Sequence, residues 1–253
     1  MSTSLEGRTA LVTGAGAGMG RSHALLLAER GANVIVNDVN RAAAEETAAL
    51  VRAQGRRAQV IVRDVSQVGP LQQDIAAAAA ALGTIDILVN NAGVGGQGLP
   101  IEEVTEDIFD RMYDIHVKGA FFATQAVVPG MKAQRYGKII NISSVFAMGG
   151  SAFASHYASA KSALSGLAKS WARELTPFNI TVNAIAPGLL ETELTRNSLG
   201  MDRIRAIAKD VPFGRLADPR EISYAVAWLA SPEADFMTGQ VLSPNGGQAI
   251  VGI

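Results

Sequence analysis

Short apolar segments rich in valine and isoleucine alternate along the chain with longer segments in which apolar residues recur every three or four positions. A segment that is apolar over most of its length is typical of a strand buried on both faces of a parallel sheet, whereas the longer period is that of a helix. Strands are predicted at 9–13, 33–37, 58–62, 86–90, 137–143, 181–186 and 240–243. Helices are predicted near 19–30, 41–54, 67–82, 106–133, 156–176, 191–209 and 218–230. The alternation predicts an α/β fold in which a doubly wound parallel sheet is covered by helices on both faces.

Two loops depart from this alternation. One, residues 93–105, is rich in glycine and follows the fourth predicted strand; the other, near 188–213, follows the sixth. Open α/β sheets bind their ligands at the carboxyl ends of the strands, so either loop is expected to close over a substrate. No linker, low-complexity tail or internal repeat is visible, which favours a single domain over residues 1–253.

Composition narrows the class of protein. The chain has 48% hydrophobic and 18% charged residues, a formal net charge of -1 and no basic block, which argues against nucleic-acid binding. With no cysteine there is neither a disulfide nor a thiolate metal site, and a reducing cytoplasm is the expected compartment. No signal peptide and no apolar run of about 20 residues is visible, so a membrane protein is not expected.

A glycine-rich turn, "TGAGAGMG" at 13–20, lies between the first predicted strand and the first predicted helix. Its spacing, Gly14, Gly18 and Gly20, lets the backbone turn tightly and approach a pyrophosphate at the helix N-terminus. The alternative is a tight turn that binds nothing. The strand before it and the helix after it are the context that favours a dinucleotide site.

The end of the second predicted strand bears on the choice of dinucleotide. Asp38 follows Gly14 by 38 − 14 = 24 residues, and a carboxylate at this place can accept both hydroxyls of the adenosine ribose and repel a 2′-phosphate. Val39 follows it and Ala15 follows Gly14, so no basic residue stands beside either, and NAD is favoured over NADP. Arg41 keeps NADP open, and a role for Asp38 as a helix cap is the alternative.

The segment "SHYASAK" (155–161) places Tyr157 and Lys161 four residues apart, on one face of a helix. A tyrosine has an unperturbed pKa of about 10, and a nearby ammonium lowers that pKa by favouring the phenolate. The pair therefore has the chemistry of a proton-transfer site. Taken alone, it is equally compatible with two ordinary surface residues.

With these residues in place, the chain resembles the short-chain dehydrogenase/reductase family over almost its whole length. The motifs that carry the resemblance occur in order: the glycine turn, "DV" at 64–65, "NNAG" at 90–93, "ISS" ending at Ser144, the Y-x3-K of 157–161 and "PGLLET" at 187–192. Ser144 precedes Tyr157 by 157 − 144 = 13 residues, which is the family spacing. The later segments "GR" at 214–215 and "TGQVLSPNGG" at 238–247 are also similar to the family's.

The resemblance implies a Rossmann fold with a seven-stranded sheet of order 3-2-1-4-5-6-7 and reversible hydride transfer between a nicotinamide cofactor and an alcohol or carbonyl. It makes Tyr157 the acid and base, Ser144 the group that orients the substrate oxygen, and Lys161 the residue that binds the nicotinamide ribose and lowers the pKa of the tyrosine. The implied cofactor residues are Gly14, Gly18, Met19, Gly20, Asp38, Asp64, Val65, Asn91, Ala92, Gly93, Tyr157, Lys161, Pro187, Gly188 and Thr192. A homotetramer is implied as well, through the two long helices and the C-terminal strand region.

One position departs from the family pattern. The family usually has an asparagine where this chain has His116, and that asparagine holds a water that links the lysine to solvent. An imidazole can donate or accept the same hydrogen bond, so we expect His116 to complete the catalytic set as part of a proton relay, and it can also titrate near neutrality. The alternative is that His116 packs and caps a backbone group in a distorted helix.

The expected substrate pocket is apolar. Its predicted lining residues are Val94, Gly95, Val145, Phe146, Phe153, Leu189 and Leu190. This lining favours a hydrophobic secondary alcohol or ketone; a 3-hydroxyacyl or 3-oxoacyl thioester is the rival substrate, and a non-catalytic NAD-sensing protein of the same fold is the rival of another class. No cluster of His, Asp and Glu has metal-ligand spacing, so no catalytic metal is expected.

Overall fold

A computed structural model describes residues 4–96, 98–192, 195 and 201–250, and for Arg203 the backbone alone. Within these residues the chain forms one seven-stranded sheet of order β3-β2-β1-β4-β5-β6-β7, and every neighbouring pair of strands is parallel. The strands are β1 Thr9–Thr13, β2 Asn33–Asp38, β3 Ala58–Val62, β4 Ile87–Asn90, β5 Gly137–Ile142, β6 Ile180–Ile185 and β7 Val241–Leu242. The doubly wound sheet and the strand order expected from the sequence are confirmed.

The helices lie close to their predicted positions. They are α1 Gly18–Glu29, α2 Arg41–Ala53, α3 Val68–Leu82, α4 Glu106–Tyr113, α5 Gly119–Gln134, α6 Phe146–Gly149, α7 Ser155–Leu175, α8 Met201–Asp210 and α9 Pro219–Ala230. Two features differ from the prediction. The predicted helix 106–133 is α4 and α5 joined by a π-helical turn at Asp114–Lys118, and the short helix α6 was not predicted. Most of the predicted helix 191–209 before Met201 lies outside the described residues.

The core has two layers, because successive residues of a strand point to opposite faces of the sheet. In β1, Ala10 and Val12 pack with residues of α1, α2 and α9, whereas Leu11 packs with residues of α3, α5 and α7. Both faces are buried, which is why the strands read as apolar throughout rather than as alternating. None of the helices within the described residues has the length and hydropathy that crossing a bilayer requires.

Parallel pairing brings the carboxyl ends of the strands to one edge of the sheet. The glycine turn follows β1, Asp38 ends β2, the "NNAG" segment begins at the end of β4, and Ser143 and Ser144 follow β5. We call this edge the carboxyl edge. It collects the motifs that the sequence singled out into one region of the molecule.

Candidate active site at the carboxyl edge

The glycine turn combines tight packing with an open space. Gly14 and Gly18 have φ of +62° and +53°, in the left-handed region that favours glycine. A Cβ at Gly20 would overlap the carbonyl oxygen of Gly14, whereas a Cβ at Gly18 would meet no atom within 4 Å. Ala17 offers no side-chain cap to the first N–H groups of α1. The turn thus forms a cradle of backbone at a helix N-terminus, which fits the pyrophosphate of a dinucleotide.

The "NNAG" segment ties the glycine turn to β4. The Asn91 side chain donates from Nδ2 to the carbonyl oxygens of Thr13 at 2.8 Å and Gly14 at 3.1 Å. In return, the Thr13 hydroxyl accepts from the backbone N–H groups of Asn91 and Ala92, each at 3.0 Å. One residue earlier, Asn90 bridges β4 and β5 through a 2.9 Å bond to Asn141. The predicted cofactor residues Asn91, Ala92 and Gly14 therefore form one connected unit.

Asp38 is directed at the glycine turn. Its carboxylate accepts from the backbone N–H of Gly16 at 2.8 Å and from that of Asn40 at 2.9 Å. A Cβ at Gly16 would lie 2.8 Å from the Asp38 carboxylate, so only glycine permits this approach. Arg41 lines a groove of about 330 Å³ against β3, together with Arg63 and Asp74.

The remaining predicted cofactor residues follow β3 and β6. Asp64 accepts from the N–H and hydroxyl of Ser66 at 2.9 and 2.8 Å. Val65 is buried against Gly119. Pro187 accepts from Val145 N–H at 3.1 Å, and Gly188 donates to Pro244 at 3.2 Å. Further predicted residues of this edge are Met19 in the first turn of α1, and Thr192, whose hydroxyl lies 2.9 Å from that of Thr195.

Ser144, Tyr157 and Lys161 meet where β5 ends and α7 begins. A hydrogen bond joins Ser144 to Tyr157, and the Lys161 Nζ lies 5.7 Å from the centroid of the tyrosine ring. Lys161 is buried and donates from Nζ to the carbonyl of Ile142 at 2.8 Å. The hydroxyl of Ser143 donates to the Lys161 carbonyl at 2.8 Å, so β5 holds the lysine at both its side chain and its backbone.

Burial dominates the electrostatics of this pair. It lowers the pKa of Lys161 from 10.5 to about 7, because a charged ammonium is poorly solvated there. Burial also raises the pKa of Tyr157 above 10, and the hydrogen bond from Ser144 offsets only part of that rise. The sequence predicted a lowered pKa for the tyrosine. The chain alone does not produce it, because Lys161 is only partly charged near pH 7 and burial opposes the phenolate.

His116 lies in the π-helical turn, and its ring faces both the "NNAG" segment and the tyrosine. Nε2 lies 3.1 Å from the backbone N and 3.0 Å from the backbone O of Val94, so it bonds one or the other according to its tautomer. Nδ1 is buried with no hydrogen-bond partner in the protein. The rings of His116 and Tyr157 meet edge to face at 5.6 Å. Burial, and then the charge of Lys161, hold the pKa of His116 well below 6.5, so the imidazole is neutral near pH 7 rather than titrating there.

The glycine-rich loop after β4 crosses the face of Tyr157. A Cβ at Gly96 would lie 2.8 Å from the tyrosine Cβ, and Val94 and Gly95 precede this contact. The Phe146 ring approaches Tyr157 edge to face at 6.2 Å. Phe153 is 62% exposed and has φ of 61°, a conformation that is unusual for a bulky residue, and its carbonyl accepts from Leu99 N–H at 2.9 Å.

Leu189 and Leu190, which are predicted to line the substrate pocket, lie at the base of the second loop. Leu189 packs with the small apolar cluster of Ile204, Val211 and Leu216 and lines a cavity of about 160 Å³. Leu190 forms a parallel bridge with Ala217 and packs on the core layer that contains α1 and α9. Their apolar side chains thus anchor the base of the second loop. Val145 is buried between the strand ends.

Three residues of this edge were not predicted: Thr13, Gly16 and Arg21. Thr13 could have been predicted, because a hydroxyl residue stands directly before the first glycine of the turn. Arg21 donates to the carbonyl of Gly16, and its other partners lie on α2, so the sequence around it carries no signal. Within the described residues, no group of three or more His, Cys, Asp or Glu side chains could hold a metal ion.

The comparisons with known proteins agree with this geometry. A family model described as enoyl-(acyl carrier protein) reductase matches residues 14–249. The chain is 40% identical over 247 residues to the 3-oxoacyl-[acyl-carrier-protein] reductase FabG of Vibrio harveyi, covering 98% of this chain and 99% of that protein. A gluconate 5-dehydrogenase from Burkholderia cenocepacia, solved with NADP and tartrate, superimposes with a TM-score of 0.92 at 35% identity and 98% coverage of both chains. Carveol dehydrogenase from Mycobacterium avium, solved with NAD, gives 0.91 at 30% identity, covering 96% of this chain and 98% of that one.

A parallel sheet with a dinucleotide cradle and a Ser-Tyr-Lys group at its carboxyl edge defines a nicotinamide-dependent oxidoreductase. The chain belongs to the short-chain dehydrogenase/reductase family. The similar solved structures include one complex with NADP and one with NAD, and the names of the two proteins refer to different substrates.

Proposed function

We propose that the protein interconverts a hydrophobic secondary alcohol and its ketone by hydride transfer to and from NAD(H), with Tyr157 as the acid and base. The observation that carries this proposal is the grouping of Tyr157 with Ser144 and with Lys161, whose Nζ lies 5.7 Å from the tyrosine ring centroid, at the edge that also holds the glycine cradle. Each of these side chains alone is compatible with a structural role. Their grouping beside a dinucleotide cradle supports catalysis.

The proposed chemistry divides among the residues of the chain. Ser144 donates a hydrogen bond to the substrate oxygen and orients it. Tyr157 takes the alcohol proton during oxidation and returns it during reduction. A bound nicotinamide supplies or accepts the hydride. Lys161 uses one of its three donors on Ile142, and the others remain for the nicotinamide ribose.

Proton transfer near neutral pH requires the pKa of Tyr157 to fall on binding. Bringing a phenol from about 10 to about 7 takes about 4 kcal/mol of differential stabilisation, and Tyr157 needs more because burial raises its pKa above 10. A fully protonated Lys161 favours the phenolate, and so does the positive charge of an oxidised nicotinamide. In the proposed mechanism, the site with bound cofactor therefore differs from the site of the protein alone chiefly in its positive charge, which comes from the protonated Lys161 and the oxidised nicotinamide.

For His116 we propose a positioning role in addition to a relay. The neutral imidazole anchors the backbone at Val94, and its unpartnered Nδ1 remains as a buried donor or acceptor for a water. Such a water would link the region of Lys161 to solvent. The pKa of His116, which is held well below 6.5, makes this a neutral relay.

NAD is the proposed cofactor because the Asp38 carboxylate stands beside the glycine turn. Each of its oxygens accepts one backbone N–H and keeps lone-pair capacity for a ribose hydroxyl. The same negative charge disfavours a 2′-phosphate. The similar proteins do not settle the matter, since the gluconate dehydrogenase was solved with NADP and the carveol dehydrogenase with NAD.

An apolar substrate is favoured by the surroundings of Tyr157. The Phe146 ring meets Tyr157 edge to face, and Gly96 lies against the tyrosine Cβ. The exposed Phe153 bonds the glycine-rich loop at Leu99. The 40% identity to a 3-oxoacyl-[acyl-carrier-protein] reductase makes a 3-oxoacyl thioester the second candidate. The complete Ser144, Tyr157 and Lys161 set argues against the remaining alternative, a cofactor-sensing protein without turnover.

The decisive experiment measures turnover with NAD(H) and NADP(H) on cyclic ketones, the matching alcohols, acetoacetyl-CoA and a keto-sugar acid. The proposal expects the highest kcat/KM for a cyclic or aromatic ketone with NADH. A preference for acetoacetyl-CoA selects the thioester instead. Failure to turn over any member of the panel, with NADH still bound, favours a binding protein.

We also propose a homotetramer. Two sets of exposed aromatic side chains lie on elements that cover opposite faces of the sheet. Phe109 and Phe121 on α4 and α5 are 43% and 39% exposed, and Phe121 meets Trp171 of α7 edge to face. On the other side, Tyr224 of α9 and Phe236 are exposed. Size-exclusion chromatography with light scattering tests the proposal, and a monomer would refute it.

A further inference from the structure

The guanidinium of Arg21 is fixed against the backbone of the glycine turn. Nε and Nη2 both donate to the carbonyl oxygen of Gly16, at 2.9 and 2.6 Å. Arg21 lies on α1, one residue beyond Gly20, and its side chain is 26% exposed. A fork of two donors on one carbonyl fixes the direction of that carbonyl more closely than a single bond does.

Helix α2 holds the same guanidinium from its other side. Nε lies 3.0 Å from the hydroxyl of Thr47, and Nη2 lies 2.6 Å from the carboxylate of Glu46. The Thr47 hydroxyl also approaches the Gly16 carbonyl at 3.3 Å. Glu46 balances the positive charge of Arg21, so this arginine acts through its geometry rather than as a free cation for a phosphate.

Both polar backbone groups of Gly16 are thereby engaged. Its carbonyl is held by Arg21, and its N–H donates to Asp38 Oδ2 at 2.8 Å. Glycine is required here because a Cβ would lie 2.8 Å from the carboxylate, yet glycine is also the residue with the widest choice of conformations. Some other group has to restrict Gly16 if the Asp38 carboxylate is to keep one orientation.

We propose that Arg21 is a positioning residue for cofactor selectivity. By clamping the Gly16 carbonyl, it keeps the Gly16 N–H directed at Asp38, and so holds the carboxylate where it accepts ribose hydroxyls. Loss of the clamp lets Gly16 turn away and frees the carboxylate to rotate. This inference rests on the proposed NAD-binding role of Asp38 and adds a residue that does not itself touch the cofactor.

The test is direct titration of NADH and of NADPH by their fluorescence, without substrate. Arg21→Ala is expected to raise the Kd for NADH about tenfold, the effect of weakening one hydrogen bond to a charged group, and to change the Kd for NADPH little. The ratio of the two dissociation constants therefore falls. Arg21→Lys, which keeps the charge but replaces the planar fork of donors with a single ammonium, is the milder variant and is expected to fall between the wild type and Arg21→Ala.

Arg52→Ala is the matched control. Arg52 is an arginine of α2 that bonds Ala58 and pairs with Glu45, away from Gly16. It is expected to leave the ratio unchanged. Thermal unfolding of each variant shows whether it is folded at the temperature of the titration.

The outcomes separate the inference from the proposed function. If Arg21→Ala and Arg21→Lys weaken NADH and NADPH by the same factor, or change neither, Arg21 has only a structural role and the inference is wrong while NAD binding stands. If the wild type binds NADPH more tightly than NADH, or binds neither, the proposed role of Asp38 fails and the inference fails with it.

Discussion

On the cofactor side of the carboxyl edge, side chains hold the loop backbone: Asn91 and Thr13 join β1 to β4, and Asp38 and Arg21 hold Gly16 from two directions. On the proposed substrate side, the loop after β4 contacts Tyr157 through Gly96, and the exposed Phe153 bonds the same loop at Leu99. A polar network specifies distances to a few tenths of an ångström, whereas a glycine-rich loop and exposed rings leave the shape of the pocket to a few side chains. We therefore expect substitutions on the proposed cofactor side to change cofactor binding, and substitutions on the proposed substrate side to change substrate preference.

The largest effect is expected for Tyr157→Phe, which removes the hydroxyl of the proposed acid and base and leaves the ring in place. Turnover should fall by about 10²–10⁴-fold, the usual contribution of general acid–base catalysis. The Kd for NADH should stay close to that of the wild type. Steady-state kinetics and fluorescence titration measure the two quantities.

Tyr224→Phe is the control, because Tyr224 is half exposed on α9 and its hydroxyl bonds Arg220. It should leave turnover unchanged. A Tyr157→Phe enzyme that retained wild-type turnover would contradict the catalytic role.

The second largest effect is expected at Gly18, with Gly7 as its control, because both glycines have a positive φ and open space at the Cβ position. Gly18 and Gly7 have φ of +53° and +77°, and a Cβ at either meets no atom within 4 Å. Each Gly→Ala substitution should lower the free energy of unfolding by about 1 kcal/mol, the cost of a left-handed alanine. Only Gly18→Ala places its methyl group in the proposed cofactor cradle, so only it should weaken NADH binding, by at least tenfold.

Chemical denaturation and NADH titration of the two variants provide the measurements. Gly7→Ala controls for backbone strain. Equal NADH affinity in the two variants would mean that the space before Gly18 is not the cofactor cradle.

A smaller effect is expected at Phe153, on the substrate side. Asparagine tolerates φ of 61° better than phenylalanine and lacks the ring. Phe153→Asn should raise the KM for a cyclic ketone by about tenfold, a plausible loss for one apolar contact, while the KM for NADH stays unchanged. Equal KM values for the ketone in variant and wild type would remove Phe153 from the pocket.

The smallest effect is expected for His116→Asn. An amide can replace the neutral imidazole at Val94, so turnover should stay within a few-fold of the wild type, whereas His116→Leu loses that bond and should lose much of the activity. Since the pKa of His116 lies well below 6.5, the rate profiles of wild type and asparagine variant across pH 6–10 should have the same shape. A leucine variant as active as the wild type over this range would exclude both the anchor and the relay.

The fold was predictable from the sequence because burial on both sheet faces makes each strand apolar throughout. The strand order was predicted from the family resemblance, because hydrophobic periodicity indicates which segments are strands but not which strands are neighbours in the sheet. The π-helical turn at Asp114–Lys118 was anticipated only as an alternative for His116, a distorted helix, because these residues keep a helical polarity pattern. The pKa of Tyr157 was expected to be low from the neighbouring ammonium, but burial acts on both groups and reverses the balance. The packing partners of Leu189 and Leu190 could not be predicted, because a loop side chain contacts elements far along the chain, here the cluster of Val211 and Leu216 and the bridge to Ala217.

The contact between Gly96 and Tyr157 has a consequence for how such a pocket can diversify. Because a Cβ at position 96 would lie 2.8 Å from the tyrosine Cβ, backbone covers the base of the Tyr157 side chain, and a larger residue at position 96 would displace the tyrosine. In the proposed pocket, substitutions at Val94 and Phe153 are expected to change the substrate range, whereas a substitution at Gly96 would move Tyr157 itself. A lineage can in this way exchange its substrates repeatedly while inheriting an unaltered reaction centre.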